Sequence, residues 1–274
     1  MPDVARVTAP DRFEAVTLLV RSGFGPTVEQ LVGFPAASPS GTLLGLRRGG
    51  HLAGVVGAVS FGATGWIGAL AVTPEHRREG IARELCETAI DWLRDRGAAT
   101  VLLYATEQGR PLYERLGFAA ERPATAWRGV AAVRLPATVR PLRPDDLPAV
   151  ERLDRETTGE DRGVLVRALL PLRGWAVPGA GRDDDLRGVA LSSPYGQAAG
   201  ILARDRDAGL ALLAASAPGP APGVVLVPDD NDEAAAAVRG WRFTPANAPL
   251  RMHLGTPPAR RRAQQFGLFN FFWG

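Results

Sequence analysis

A chain of 274 residues has room for two domains at about 100–200 residues each. With 46% hydrophobic and 22% charged residues it has an ordinary globular mix, which excludes a disordered or fibrous chain. The net charge is only +3, and the 32 basic residues, all arginine, are scattered among 29 acids, so no nucleic-acid-binding stripe is expected.

The opening "MPDVARVTAP" lacks the apolar core of a secretory leader, and no later apolar run approaches the ~18 residues of a membrane span. No leader and no membrane association are therefore expected. "ARVTAPDRFEAVTLLV" predicts a short strand and then a helix started near Asp11. The Gly-, Pro- and Ser-rich stretch 21–41 reads as a loop. "TLLGLRR", Gly49-Gly50 and "LAGVVGAVSF" read as a hairpin by pattern and turn chemistry. "WIGALAV" is a third apolar strand.

Next, Ile81, Leu85, Cys86, Ala89, Ile90 and Leu93 form one helical stripe, with Gly97 as its stop. Cys86 lies in that stripe, where a thiol packs as a small hydrophobe. As the only cysteine it rules out a disulfide framework within the chain and favours a cytoplasmic setting. "ATVLLYA" is a buried strand, "GRPLYERLGF" a short helix ending at Gly117, and "ATAWRGVAAVRL" a further strand.

Near residue 137 the pattern restarts. "TVRPLRPDDLPAVERLD" echoes residues 4–20, and "GVVLVPDDNDEAAAAVRGWRF" echoes "ATVLLYATEQGRPLYERLGF". The expectation is a duplication, with domains at 1–135 and 138–274. Arg260 to Arg262 reads as a solvated turn, and the aromatic end "FGLFNFFWG" as a segment packed on the body.

The stripe helix starts near Glu79–Gly80. Its first N–H groups have no partner within the helix and carry roughly half a positive charge. Gly80 lets backbone approach a ligand closely. Arg77 and Arg78 add positive charge beside it. A phosphate or diphosphate suits that place.

Arg77-x-x-Gly80-x-Ala82, following an apolar strand and "VTP", resembles the acyl-CoA loop of the GCN5-related N-acetyltransferase (GNAT) superfamily. "GRPLYERLGF", with Tyr113 four residues before Gly117-Phe118, resembles that family's later helix. The element order fits over residues 4–133. The whole chain resembles a bacterial subgroup in which a catalytic domain precedes a degenerate acetyltransferase-like domain. The implied fold class is α/β (α+β): tandem domains, each a mixed, mostly antiparallel sheet flanked by helices.

The implied chemistry is acetyl transfer from acetyl-CoA to an amine. The resemblance puts Leu70, Ala71, Val72, Arg77, Arg78, Glu79, Gly80, Ile81, Ala82 and Thr106 on the cofactor and makes Tyr113 the proton donor to the departing thiolate. A backbone N–H between Leu70 and Val72 would polarise the thioester carbonyl. No carboxylate lies on "WIGALAV", so the base is expected to be a water chain or a residue of the 21–41 loop; Glu75, His76 and Glu107 are weaker candidates. His51 and His253 read as structural, and no metal is expected. Asp161 and the run Asp183 to Asp185 could meet a cationic acceptor.

The second half carries its own Arg206-x-x-Gly209-x-Ala211, but Asp205 and Asp207 would repel a diphosphate and Ala236 stands where Tyr113 would. It is expected to be scaffold. The expected acceptor is a small-molecule amine; a protein amine, or a non-catalytic acetyl-CoA sensor, are the alternatives. A monomer or homodimer is expected, with neither nucleic acid nor membrane as a partner.

Overall fold

The computed structural model describes residues 4–25, 27–131, 133–180, 185–217, 219 and 221–274. Packing divides the chain into two compact units. The first comprises Met1–Ala119, Met252–Pro257 and Trp273; the second comprises Ala120–Arg251, Pro258–Phe272 and Gly274. The duplicated halves and the packed units therefore do not coincide: residues 120–135 fold with the second unit, and 252–257 with the first.

The first unit begins with β1 (Val4–Arg6), α1 (Arg12–Leu19), a π turn (Val20–Phe24) and α2 (Val28–Ala37). β2 (Gly41–Arg48), β3 (His51–Phe61) and β4 (Thr64–Val72) then form an antiparallel meander in which β1 pairs with β2. Gly49 and Gly50 both have positive φ, as the tight β2–β3 turn requires. After α3 (Ile81–Arg94), β5 (Thr100–Ala105) lies parallel to β4, which only a crossover such as this helix allows. α4 (Arg110–Arg115) follows.

The predicted stripe holds: Ile81, Leu85, Cys86, Ala89, Ile90 and Leu93 are all buried. Fully burying one large aliphatic side chain contributes about 1.5–3 kcal/mol. The sheet makes room for this helix with glycines. A Cβ on Gly54 would lie 2.9 Å from Ile81 Cγ2 and from Leu85 Cδ1, and one on Gly65 would lie 2.6 Å from Leu93 Cδ2.

Two readings of the first half are corrected. The stretch 21–41 is not a loop throughout but holds α2, whose Val28, Leu31, Val32 and Phe34 are buried; Gly33 and Pro35 hid the pattern. The strand expected at 124–135 is β6 (Ala119–Gly129), shifted toward the N-terminus. It stops at Gly129 because its partners β11 (Gly223–Pro228) and β12 (Thr244–Asn247) end there.

The second unit continues with β7 (Arg140–Pro141), α5 (Leu147–Thr158), α6 (Gly163–Ala168), β8 (Gly174–Pro178), β9 (Leu186–Leu191), β10 (Gly200–Ala203) and α7 (Arg206–Ala215). α8 (Asp232–Gly240), β13 (Leu250–Leu254) and β14 (Gln265–Gly267) complete the chain. One sheet runs β14-β10-β9-β8-β7, antiparallel throughout.

A buried bidentate pair joins Arg162 to Asp154 at 2.6 and 3.1 Å. Arg260 corrects the solvated-turn reading: its guanidinium is buried, 2.5 Å from Asp230 and 3.4 Å from Glu121, while Arg261 and Arg262 stay exposed. An arginine taken out of water needs such carboxylates. The aromatic tail packs as expected, with Phe266, Leu268, Phe269 and Trp273 buried.

Candidate functional site

The site in the first unit starts as a divergence of two strands. β4 and β5 pair only over Thr64–Trp66 and Thr100–Leu102. Beyond those residues β4 runs on to Val72 and β5 to Ala105 without a shared ladder. A bulge turns β4 aside. Val55 faces Ala71 and Gly57 faces Gly68, so Ala69 and Leu70 together oppose Val56, and Ala69 takes a φ of 53°. A bulge kinks its strand and redirects its peptide groups. The edge of β4 from Ile67 to Val72 that faces away from β3 therefore opens on a wedge between parallel strands.

The loop after β4 leads to the helix start. Thr73 N–H donates to Ala53 O at 2.8 Å, and Pro74–His76 form a 3-10 turn. Arg78 has a φ of 70° and Gly80 one of 84°. Gly80 is the N-cap of α3 and brings no capping side chain. Its carbonyl accepts from Arg83 N–H and Glu84 N–H at 2.9 and 3.1 Å, which leaves the N–H groups of Ile81 and Ala82 without intrahelical acceptors. Among the described residues, Arg77 and Arg78 are exposed and make no ion pair. The nearby carboxylate of Glu79 is turned to His76 Nδ1, at 3.2 and 3.3 Å. Bare amides and two unneutralised guanidiniums thus meet at one helix end, an arrangement that fits a diphosphate. A Cβ at Gly80 would meet nothing within 4 Å; glycine is needed there for its left-handed backbone.

Tyr113 is buried on α4. Burial, and then the neighbouring Cys86 thiol, push its phenol well above the ordinary 10.0. Cys86 is itself raised from 9.0 to about 12 by burial and then by Glu87. Among the described residues the Tyr113 hydroxyl makes no hydrogen bond, so it is a protonated donor without an acceptor. Its ring meets Phe118 edge-on, with centroids 5.8 Å apart. Thr106 is exposed at the end of β5, and its Oγ1 accepts from Gly109 N–H at 3.2 Å.

Leu70, Ala71 and Val72 thus lie on the bulged edge, Arg77 to Ala82 at the helix start, and Tyr113 and Thr106 beyond β5, all in the first unit. Of the weaker candidates, Glu75 and Glu107 are exposed. His51 Nδ1 stands 3.5 Å from Glu14, and His253 Nδ1 2.8 Å from the Gly255 carbonyl. Asp161 belongs to the second unit and pairs with Arg155 at 3.0 Å, whose hydrogen bond holds it below its ordinary pKa. Asp183 and Asp184 lie outside the described residues. The bulge at Ala69 had no signal in the sequence, and the packing of the π turn against β4 had only Gly23 and Gly25 to suggest it.

The second unit arranges the same elements differently. Arg206 is the first residue of α7 and Gly209 lies inside it, so this Arg-x-x-Gly is displaced from the helix start. The N-cap is Asp205, whose carboxylate accepts Ala208 N–H at 3.0 Å and pairs with Arg187 at 2.7 and 2.9 Å. The Phe266 ring fills the space over Gly209. β14 pairs with β10, and the next residue, Leu268, donates its N–H to Leu226 O on β11. The place between β10 and β11 is therefore taken by the chain's own segment, and the helix start by its own carboxylate.

A bulged strand diverging from a parallel neighbour thus ends at a bare helix N-terminus, an open edge beside an anion-suited helix start. Residues 19–118 match the profile of the Acetyltransferase (GNAT) family, and residues 150–267 that of an Acetyltransferase (GNAT) domain. Solved structures agree in fold. A provisionally assigned acetyltransferase from Pyrococcus horikoshii superposes with a TM-score of 0.81 at 17% identity, over 99% of this chain and 95% of that one. A tandem GNAT protein from the clavulanic acid biosynthesis pathway gives 0.60 at 17%, over 92% and 97%. N-alpha-acetyltransferase 30 of Schizosaccharomyces pombe is 39% identical over 57 residues, which are 20% of this chain and 38% of that protein. The chain belongs to the GNAT superfamily as a two-domain member, and acetyl-CoA-dependent acetylation is the family's activity. No helix among the described residues is long and apolar enough to cross a membrane.

Proposed function

We propose that the first unit is an N-acetyltransferase that acetylates the primary amine of a small molecule by direct attack. The observation that carries this reading is the uncapped start of α3 at Gly80, flanked by the unpaired Arg77 and Arg78, at the end of a strand that parts from its neighbour. The family's co-substrate, acetyl-CoA, supplies an acyl carbon activated as a thioester. The N–H groups of Ile81 and Ala82 and the two guanidiniums hold its diphosphate. A backbone N–H of the bulged Leu70–Val72 segment donates to the acyl oxygen as charge grows there. The amine nitrogen bonds to the acyl carbon, the carbon–sulfur bond breaks, and Tyr113 gives its hydroxyl proton to the leaving sulfur and recovers one from solvent. The raised phenol keeps that proton in place at working pH. No side chain from Ile67 to Val72 can take a proton, so water in the wedge carries off the amine's.

The second unit supports the first and binds no second co-substrate. A second reading, acetylation of a protein α-amine, is favoured by the 57-residue likeness to a protein whose name is that of an N-alpha-acetyltransferase. Thiol release from acetyl-CoA, measured over a panel of small amines and of peptides with free N-termini, separates the two. Turnover on small amines supports the first, turnover on peptides alone the second. Binding with no turnover on either leaves a sensor.

A further inference from the structure

We infer that Thr106 and Gly109 are positioning residues for Tyr113; this rests on the reading of Tyr113 as the proton donor. α4 has only six residues, too few to form on their own. Its N-cap, Gly109, has no side chain to offer. Thr106 takes over that task from the end of β5. Its carbonyl accepts Gly109 N–H at 3.0 Å and Arg110 N–H at 2.9 Å, and its Oγ1 accepts Gly109 N–H at 3.2 Å. One residue thereby fixes where the helix starts and which way it points.

Gly109 lies one turn before Tyr113, so the two share a helix face. A Cβ on Gly109 would stand 3.3 Å from Tyr113 Cε2 and 3.4 Å from Thr106 Oγ1. The tyrosine ring therefore rests on bare backbone that the threonine holds. At the other end of the helix Phe118 N–H returns to Tyr113 O at 3.0 Å, and the Phe118 ring meets the phenol ring edge-on. The ring thus has both Gly109 and Phe118 as neighbours. The exposed Thr106 hydroxyl thus acts on the reaction through Tyr113; a direct hold on the co-substrate is not needed to explain it.

Thr106→Val removes the side-chain acceptor, keeps the carbonyl and the shape, and so isolates the contribution of Oγ1, whereas Thr106→Ser keeps that acceptor. The valine variant lowers kcat about tenfold, since small misplacements of a reacting group are costly. It leaves the Kd for coenzyme A unchanged, and Thr106→Ser restores kcat. A second readout is independent of turnover. The chain has three tyrosines, so ring-labelled tyrosine gives three resolvable NMR signals, and Tyr113 is assigned by its loss in Tyr113→Phe. In Thr106→Val and in Gly109→Ala the Tyr113 signal shifts or broadens while those of Tyr104 and Tyr195 stay. An unmoved Tyr113 signal, or a weakened Kd with intact kcat, overturns the inference. If instead Tyr113→Phe itself retains full kcat while the Tyr113 signal of Thr106→Val still moves, the proton-donor reading fails and the positioning stands.

Discussion

Gly80 and Asp205 each cap the helix that follows a sheet strand, and they leave opposite electrostatics behind. Gly80 caps α3 with no side chain, so the amides of its first turn stay bare. Asp205 caps α7 with a carboxylate that accepts Ala208 N–H at 3.0 Å and is neutralised by Arg187 at 2.7 Å. One helix start asks for an anion and the other already has one. That change of capping residue is one of two differences between the helix starts; the other is the chain's own β14 segment and the Phe266 ring, which fill the space beside α7.

The first consequence concerns the guanidiniums. Arg77→Ala raises the Kd for coenzyme A about 10–100-fold, the equivalent of ~1.5–3 kcal/mol for a hydrogen bond to a charged group. The Kd for acetyl-pantetheine, which has no diphosphate, barely changes. Equal losses for both ligands would place Arg77 elsewhere.

The second concerns stoichiometry. Calorimetric titration with coenzyme A saturates at one per chain, and Asp205→Ser, which keeps a capping oxygen, leaves that ratio unchanged because β14 and Phe266 still fill the space. A second site in the native chain would refute the self-filled second unit. Asp205 also carries a pH signature. The hydrogen bond from Arg187 holds its pKa below 3.8, so its contribution to stability is present above that value and is lost as pH falls. Acid unfolding of Asp205→Ser is accordingly less steep.

The third concerns Tyr113. Tyr113→Phe lowers kcat about a hundredfold, the lower range of what a positioned proton donor supplies, and leaves coenzyme A affinity nearly intact. Because burial raises the phenol, the folded chain shows no tyrosinate absorbance from this residue at pH 10. Loss of kcat and affinity in equal measure would make Tyr113 a binding residue only.

The fourth concerns Cys86. Its folded pKa of about 12 stands above the ordinary 9.0. Stability from the buried neutral thiol is therefore whole below pH 9 and erodes between 9 and 12, because the unfolded chain ionises first. The gap in urea midpoint between pH 8 and pH 11 narrows in Cys86→Ala. A gap that keeps its width would show the thiol to be reachable by water.

Much of this was readable in the sequence, and the exceptions have physical causes. The α3 stripe is a local, periodic property, and all six predicted positions are buried. The hairpin turn at Gly49-Gly50 is likewise local. The bulge at Ala69 is a property of register between two strands, and alanine carries no sign of a positive φ. The sequence set Arg206-x-x-Gly209 aside as a cofactor site on charge grounds, but its displacement into α7 was not legible, because Asp205 starts that helix ahead of the motif and the letters alone do not show it. The seat of Phe266 over Gly209 joins residues 57 positions apart, a distance no periodicity spans.

The central claim is that a diphosphate rests on the amides that open α3. The most direct measurement is a backbone-amide NMR titration with coenzyme A. The account predicts saturable shifts at Gly80, Ile81 and Ala82, with Arg206 to Gly209 unmoved. Silent amides at 80–82, or shifts at 206–209 in their place, would contradict it.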